Sequence, residues 1–212
     1  MDKQVDILII GAGISGIGVA AHLSQNCPQR SFEIIERRQS FGGTWDLFQY
    51  PGIRSDSDMS TFGYNFKPWK KTNVLADGAS IKGYLAEVIQ EKALHSKIHF
   101  QHRVLSANYN SQTRNWTLRI ENAAQQIENW VANFVLGCTG YYNYDQGFQP
   151  DFPNQQAFKG TFIHPQHWPE NLDYRGKKVL IIGSGATAIT LVPAMSKGGA
   201  AHVTMLQRSP TY

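Results

Sequence analysis

Val5-Asp6-Ile7-Leu8-Ile9-Ile10-Gly11-Ala12-Gly13-Ile14-Ser15-Gly16 is the stretch that decides the fold of this chain. Four consecutive aliphatic residues, Ile7 to Ile10, predict a strand buried on both faces, the pattern of a parallel sheet covered by helices. The glycines that follow are spaced G-x-G-x-x-G. A small-residue amphipathic segment then runs through Leu23, and Phe32-Glu33-Ile34-Ile35-Glu36 supplies a second buried strand. Strand, tight turn, helix and strand form a βαβ unit whose helix N-terminus offers N–H groups to a pyrophosphate. Gly11 lets the chain leave the strand, Gly13 admits close backbone approach to the diphosphate, and Gly16 lets helix and strand pack closely. Glu36 lies twenty residues beyond Gly16, at the end of the second strand, where a carboxylate accepts hydrogen bonds from a ribose diol.

The pattern returns near the other end. Val179-Leu180-Ile181-Ile182 reads as a strand, and Gly183-Ser184-Gly185-Ala186-Thr187-Ala188 as the turn, with alanine in the third glycine position. Ile189 to Ser196 reads as a helix, in which Pro193 predicts a kink, and His202 to Leu206 as the second strand. Arg208 follows Ala188 by the same twenty residues that separate Glu36 from Gly16. A carboxylate suits a free ribose 2′-OH and repels a 2′-phosphate, whereas an arginine does the opposite. The first site is therefore expected to prefer FAD or NAD and the second NADP, an arrangement that implies electron transfer from NADPH to a flavin.

Between the two copies, Gly42-Gly43-Thr44-Trp45 and Tyr50-Pro51-Gly52-Ile53-Arg54-Ser55-Asp56-Ser57-Asp58 form an irregular loop, expected to line the cofactor. Asp56 and Asp58 carry a plainer reading as turn caps. Ile81, Tyr84, Leu85, Val88 and Ile89 form one face of an amphipathic helix and read as core. From Ile98 to Cys138 the periodicity is that of short strands, an antiparallel meander inserted into the parallel sheet, ending in Gly137-Cys138-Thr139-Gly140. The fold class is thus α/β with two Rossmann-like domains, the first carrying the meander and the second incomplete. The limits are 1–140 for the FAD-binding domain, 141–176 for a linker and 177–212 for the start of the NADP-binding domain.

A net charge of +4 with scattered Lys and Arg gives no basic stripe, so nucleic acid is excluded as a partner. Cys27 and Cys138 are two isolated thiols with no neighbouring ligand set, which predicts reduced cysteines, no metal and a cytoplasmic protein. His95, His99 and His102 lack ligand spacing and read as packing or surface residues. Asp6 and the glycine fingerprint argue against a signal peptide, and no apolar run reaches transmembrane length.

Phe158, Gly160, His164, Trp168 and Pro169 match F-x-G-x-x-x-H-x-x-x-W-P, the signature of the Baeyer–Villiger monooxygenases, and the two fingerprints flank it as in that family. The chain resembles this family throughout. It most resembles the ethionamide-activating subgroup and the flavin-binding monooxygenases linked to long-chain alkanes, through Gly42 to Phe48, Tyr50 to Met59 and Gly140 to Tyr144. The resemblance implies that NADPH reduces FAD and that oxygen activated on the reduced flavin enters a small organic substrate. That substrate is a ketone or aldehyde, a soft heteroatom or a long-chain compound.

By position the resemblance places Ser15, Glu36, Thr44, Trp45, Leu47, Asp56 and Val104 at FAD. It places Arg54, Asp56, Gly183, Ser184, Gly185, Ala186, Thr187, Ala188, Ile189, Gln207 and Arg208 at NADP. Asp56 is the candidate catalytic residue, through orientation of an arginine, and His164 is a hinge of the linker. Gln49 stands where the family usually has arginine. The family is usually more than twice this long, so a fragment is expected, whose partner is the C-terminal half holding the catalytic arginine. Two rivals follow: a nucleotide-binding fragment without turnover, and a flavin disulfide reductase, for which Cys27 and Cys138 do not supply the paired thiols.

Overall fold

A computed structural model describes residues 2–209. In chain order the elements are β1 (Lys3–Ile10), α1 (Ile14–Asn26), β2 (Phe32–Ile35), α2 (Thr44–Leu47), α3 (Met59–Phe62), α4 (Gly78–Glu91), β3 (Ile98–His99), β4 (Arg103–Asn110), β5 (Asn115–Glu121), β6 (Ile127–Gly137), β7 (Lys178–Ile182), α5 (Ala186–Lys197) and β8 (His202–Leu206). Packing gathers them into two compact units, Met1–Asp46 with Ile81–Tyr141, and Leu47–Ser80 with Tyr142–Tyr212. The segment 47–80, which the sequence places within the first nucleotide domain, thus packs with the second unit.

The first unit is built on a six-stranded sheet in the order β3-β2-β1-β6-β5-β4. β1 runs parallel to both β2 and β6, while β4, β5 and β6 form an antiparallel meander. The meander is present from Arg103 onward and its last strand, β6, returns to the parallel core, whereas Ile98–His99, predicted as its first strand, instead pairs parallel with β2 at the opposite edge of the sheet. Leu8, Ile9, Ile17 and Ile34 are fully buried, each contributing about 1.5–3 kcal/mol relative to exposure. On α4, Ile81, Tyr84, Leu85, Val88 and Ile89 are all buried, as the stripe predicts.

The register aligns Ile10 with Ile35 on one side and with Gly137 on the other. Gly11, Glu36 and Cys138 consequently emerge side by side at the carboxyl ends of three parallel strands, where open α/β sheets bind ligands. Gly11 has φ +108, and a Cβ there would collide with the Cys138 carbonyl oxygen. A Cβ on Gly16 would collide with the Gly11 carbonyl oxygen and stand 3.4 Å from Ile9 Cγ2. These two positions need glycine for the reasons the spacing predicts.

In the second unit β7 and β8 pair in parallel, with Ile182 opposite Leu206, and Leu191 and Met195 of α5 pack against Leu47, Phe48 and Tyr50. A Cβ on Gly52 would come 2.5 Å from the Thr190 carbonyl oxygen and 2.7 Å from Ala194 Cβ. The Tyr50-Pro51-Gly52 turn is thus pressed onto α5, because its aromatic neighbours are core material. α5 runs uninterrupted through Pro193, at the loss of the one hydrogen bond that its nitrogen cannot donate.

The substitution Gly16→Ala is expected to destabilise the first unit by about 3 kcal/mol, because the added methyl meets backbone that cannot swing aside. Gly185→Ala, where nothing stands within 4 Å of the new Cβ, is expected to leave stability unchanged. Urea unfolding of both variants checks this; equal losses would contradict it.

Candidate nucleotide sites

Glu36 is 4% exposed. Its Oε2 accepts from the Ala12 backbone N–H at 2.7 Å, inside the glycine turn, and its Oε1 accepts from the Arg38 N–H at 2.8 Å. A carboxylate offers about four acceptor directions, so two are left for a sugar diol after these bonds. The Glu36 backbone is fixed as well, donating to the His99 carbonyl and accepting from the His102 N–H, each at 2.9 Å. α1 starts from Gly13 in extended conformation, with no side-chain cap and no acidic residue in its first turn. The positive end of the helix dipole thus carries no acid from its own first turn, and the Glu36 carboxylate lies beside it at Ala12.

Across the turn lies Gly42-Gly43. Gly42 N–H donates to the Ala12 carbonyl at 2.9 Å, and a Cβ on Gly13 would meet only Gly43 backbone, with Cα at 3.6 Å. Gly13 and Gly43 thus approach main chain to main chain with no side chain between them, so a diphosphate beside the pair could lie close to backbone. Thr44 and Trp45, both half-buried, follow directly in α2, and Ser15 is exposed in the first turn of α1. The structure thus brings Gly11, Gly13, Ser15, Gly16, Glu36, Thr44 and Trp45 together. Val104, on β4 two residues beyond His102, pairs with Ile120 and packs against the cluster that contains Ile35, and the His102 N–H reaches the Glu36 carbonyl.

Sequence reasoning missed Asp46. This buried carboxylate takes Arg38 Nε at 3.0 Å and Nη2 at 2.7 Å on one oxygen and Lys82 Nζ on the other. Burial pushes its pKa up, but the hydrogen bonds and charges of Lys82 and Arg38 outweigh that and hold it below the usual carboxylate value. An acidic residue two positions past a Gly-Gly-Thr turn, with Arg-Arg shortly before it, was the available signal.

The second unit repeats the cradle in more open form. Gly183 has φ +123 and its N–H donates to the Leu206 carbonyl at 2.8 Å. Nothing lies within 4 Å of a Cβ built at Gly183 or Gly185, so the space that side chains would fill is clear for a second diphosphate. α5 likewise starts without a side-chain cap or an acidic first turn. Ser184 and Thr187 are half-buried, Ala188 is buried, and Ala186, Ile189, Gln207 and Arg208 are exposed.

Leu47 belongs to the core of the second unit, while Arg54 and Asp56 are exposed on the loop after Gly52. Asp58, in contrast, caps α3 by accepting from the Thr61 N–H at 3.0 Å. His164 Nδ1 accepts from the Gln166 N–H at 3.2 Å, and a Cβ on Gly147 would run into its ring, so this histidine is engaged in local structure.

Residues 2–212 match the family model described as flavin-binding monooxygenase-like. The chain is 76% identical over 212 residues to the probable FAD-binding monooxygenase AlmA of Acinetobacter baylyi, covering 100% of this chain and 43% of that protein. It is 55% identical over 212 residues, with the same coverages, to the FAD-containing monooxygenase EthA of Mycolicibacterium smegmatis. Among solved structures, an oxidized steroid monooxygenase bound to NADP superposes with TM-score 0.83 at 28% identity, covering 99% of this chain and 40% of that one. An open crystal structure of cyclohexanone monooxygenase gives TM-score 0.85 at 25% identity, covering 99% and 40%. The chain thus spans less than half the length of the curated relatives it matches.

Because the folded pKa of Asp46 is depressed, its stabilising contribution is fully present above the unfolded value, about pH 4, and is lost as pH falls through the lower folded value. Asp46→Asn is expected to be less stable than the parent by about 1–3 kcal/mol at neutral pH, and the gap should close as pH falls through the lowered folded value. Urea midpoints across this range check it; a gap independent of pH would contradict it.

Proposed function

The chain belongs to the flavin-binding monooxygenase-like family, and from that premise we propose that it forms the FAD- and NADPH-holding part of a Baeyer–Villiger type monooxygenase. The proposed reaction inserts one oxygen atom of O₂ into a ketone or aldehyde, or transfers it to a soft heteroatom or long-chain substrate. The observation that carries this reading is the contrast between two cradles of one design: a buried carboxylate, Glu36, closes the first, and an exposed arginine, Arg208, follows the second. Glu36 would hold the free ribose diol of FAD, and Arg208 the 2′-phosphate of NADPH. Flavin supplies the redox and oxygen chemistry that no amino-acid side chain provides.

The residues of this chain bind and orient. Gly13 and the Gly42-Gly43 turn would receive the FAD diphosphate, with Ser15, Thr44 and Trp45 beside it; Gly183 to Ile189 would receive that of NADPH, and Gln207 its adenosine end. Leu47 and Val104 would supply apolar contact to FAD. Arg54 and Asp56 would meet charged groups near the nicotinamide, Asp56 orienting a cation contributed by the rest of the protein. The domain limits proposed with this reading are 1–140, 141–176 and 177–212. A second reading is nucleotide binding without turnover, since the residues named here bind and orient while the redox chemistry would be the flavin's.

Purified chain is expected to retain yellow flavin, which NADPH bleaches anaerobically; retained flavin that NADPH leaves oxidised would favour the second reading. Arg208→Ala is expected to weaken NADPH by about 10- to 100-fold while leaving NADH nearly unchanged, the loss of charge-assisted hydrogen bonds to the 2′-phosphate. Equal losses for the two nucleotides would remove the assignment of NADP to the second site.

A further inference from the structure

Asp46 belongs to a closed circuit of hydrogen bonds around the first cradle. Ala12 N–H donates to Glu36 Oε2 at 2.7 Å, and Glu36 Oε1 accepts from Arg38 N–H at 2.8 Å. The Arg38 guanidinium donates to Asp46 Oδ2 at 3.0 and 2.7 Å, and Asp46 N–H donates to the Gly43 carbonyl at 3.1 Å. Gly42 N–H then donates to the Ala12 carbonyl at 2.9 Å and closes the ring. Lys82 braces it from α4: its Nζ reaches Asp46 Oδ1 and lies 5.7 Å from the centroid of Phe41, the residue before Gly42. All these groups lie in one compact unit.

We propose that Asp46, clamped between Arg38 and Lys82, is the positioning residue that holds the Gly42-Gly43 turn opposite Gly13 and so sets the width of the diphosphate cradle in the first nucleotide site. Gly42 and Gly43 have φ +120 and +57, conformations that a flexible glycine pair leaves easily. Each end of the pair therefore needs an anchor: the Ala12 carbonyl holds Gly42, and Asp46 holds the α2 turn that starts from Gly43. Two cations on one buried carboxylate give a stiffer anchor than a single surface ion pair. Glu36 is held by the Arg38 backbone N–H rather than by its guanidinium, so the carboxylate that receives the ribose keeps its bond when the Asp46 anchor is changed. This inference rests on the reading of the first site as an FAD site, and it adds the group that shapes that site.

The test titrates FAD into flavin-free wild type, Asp46→Asn and Lys82→Met, followed by flavin fluorescence, and then displaces FAD with ADP or AMP. Lys82 has a side chain about one-third exposed, so its replacement is tolerated by the fold and keeps the test open should Asp46→Asn fail to fold. Both variants are expected to weaken FAD and ADP at least tenfold while changing AMP less than threefold, since AMP lacks the diphosphate that the cradle width selects. NADPH binding serves as the internal control and should change less than twofold. Equal losses for ADP and AMP would reduce Asp46 to a stabilising ion pair and overturn the inference. A wild type that binds FAD, with variants indistinguishable from it, would overturn the inference alone; a wild type that takes up neither FAD nor ADP would remove the reading of the site together with it.

Discussion

The bond from the Ala12 N–H to the buried Glu36 carboxylate is the constraint on which the first unit depends. Sequestering a carboxylate from water costs several kcal/mol unless hydrogen bonds replace the lost hydration. Glu36 recovers that cost from the backbone N–H groups of Ala12 and Arg38. This is possible only because the register of β1 and β2 brings Ile10 and Ile35 level at their carboxyl ends. The strand order thus fixes where the turn and the carboxylate meet, and the turn fixes how α1 points its N-terminus. In this sense the sheet, the glycine turn and the ligand site are one mechanical object.

The two glycine turns show how one local design serves two electrostatic ends. The first is crowded: Gly11 and Gly16 face backbone that forbids a side chain, and a second glycine turn lies opposite Gly13. The second is open around Gly183 and Gly185, with alanine in the third position, and it is followed by Arg208 in place of a buried acid.

The elements governed by strict periodicity were legible in the sequence. The aliphatic run of β1, the stripe on α4 and the alternating strands of the meander each state their burial directly, and each lies where its pattern predicts. The glycine spacing was legible for the same reason, since positive φ and close packing leave glycine as the only fit at Gly11 and Gly16. The loop after Leu47 was harder, because its value as core depends on partners far along the chain: Tyr50 and Gly52 meet Thr190 on α5. Asp46 was only partly legible for a related reason. Its neighbours in sequence suggest a turn, and only the fold brings Lys82 from another helix to its carboxylate.

The measurement that bears most directly on this account is the FAD affinity of Glu36→Gln. The amide keeps the shape of the side chain but can accept only on one arm, so its NH₂ must face either the Ala12 or the Arg38 N–H, and the ribose loses an anionic acceptor. The account predicts a loss of FAD affinity of at least about tenfold, with NADPH binding at the second turn unchanged. FAD bound as tightly by Glu36→Gln as by the parent would contradict the claim that this carboxylate organises the site.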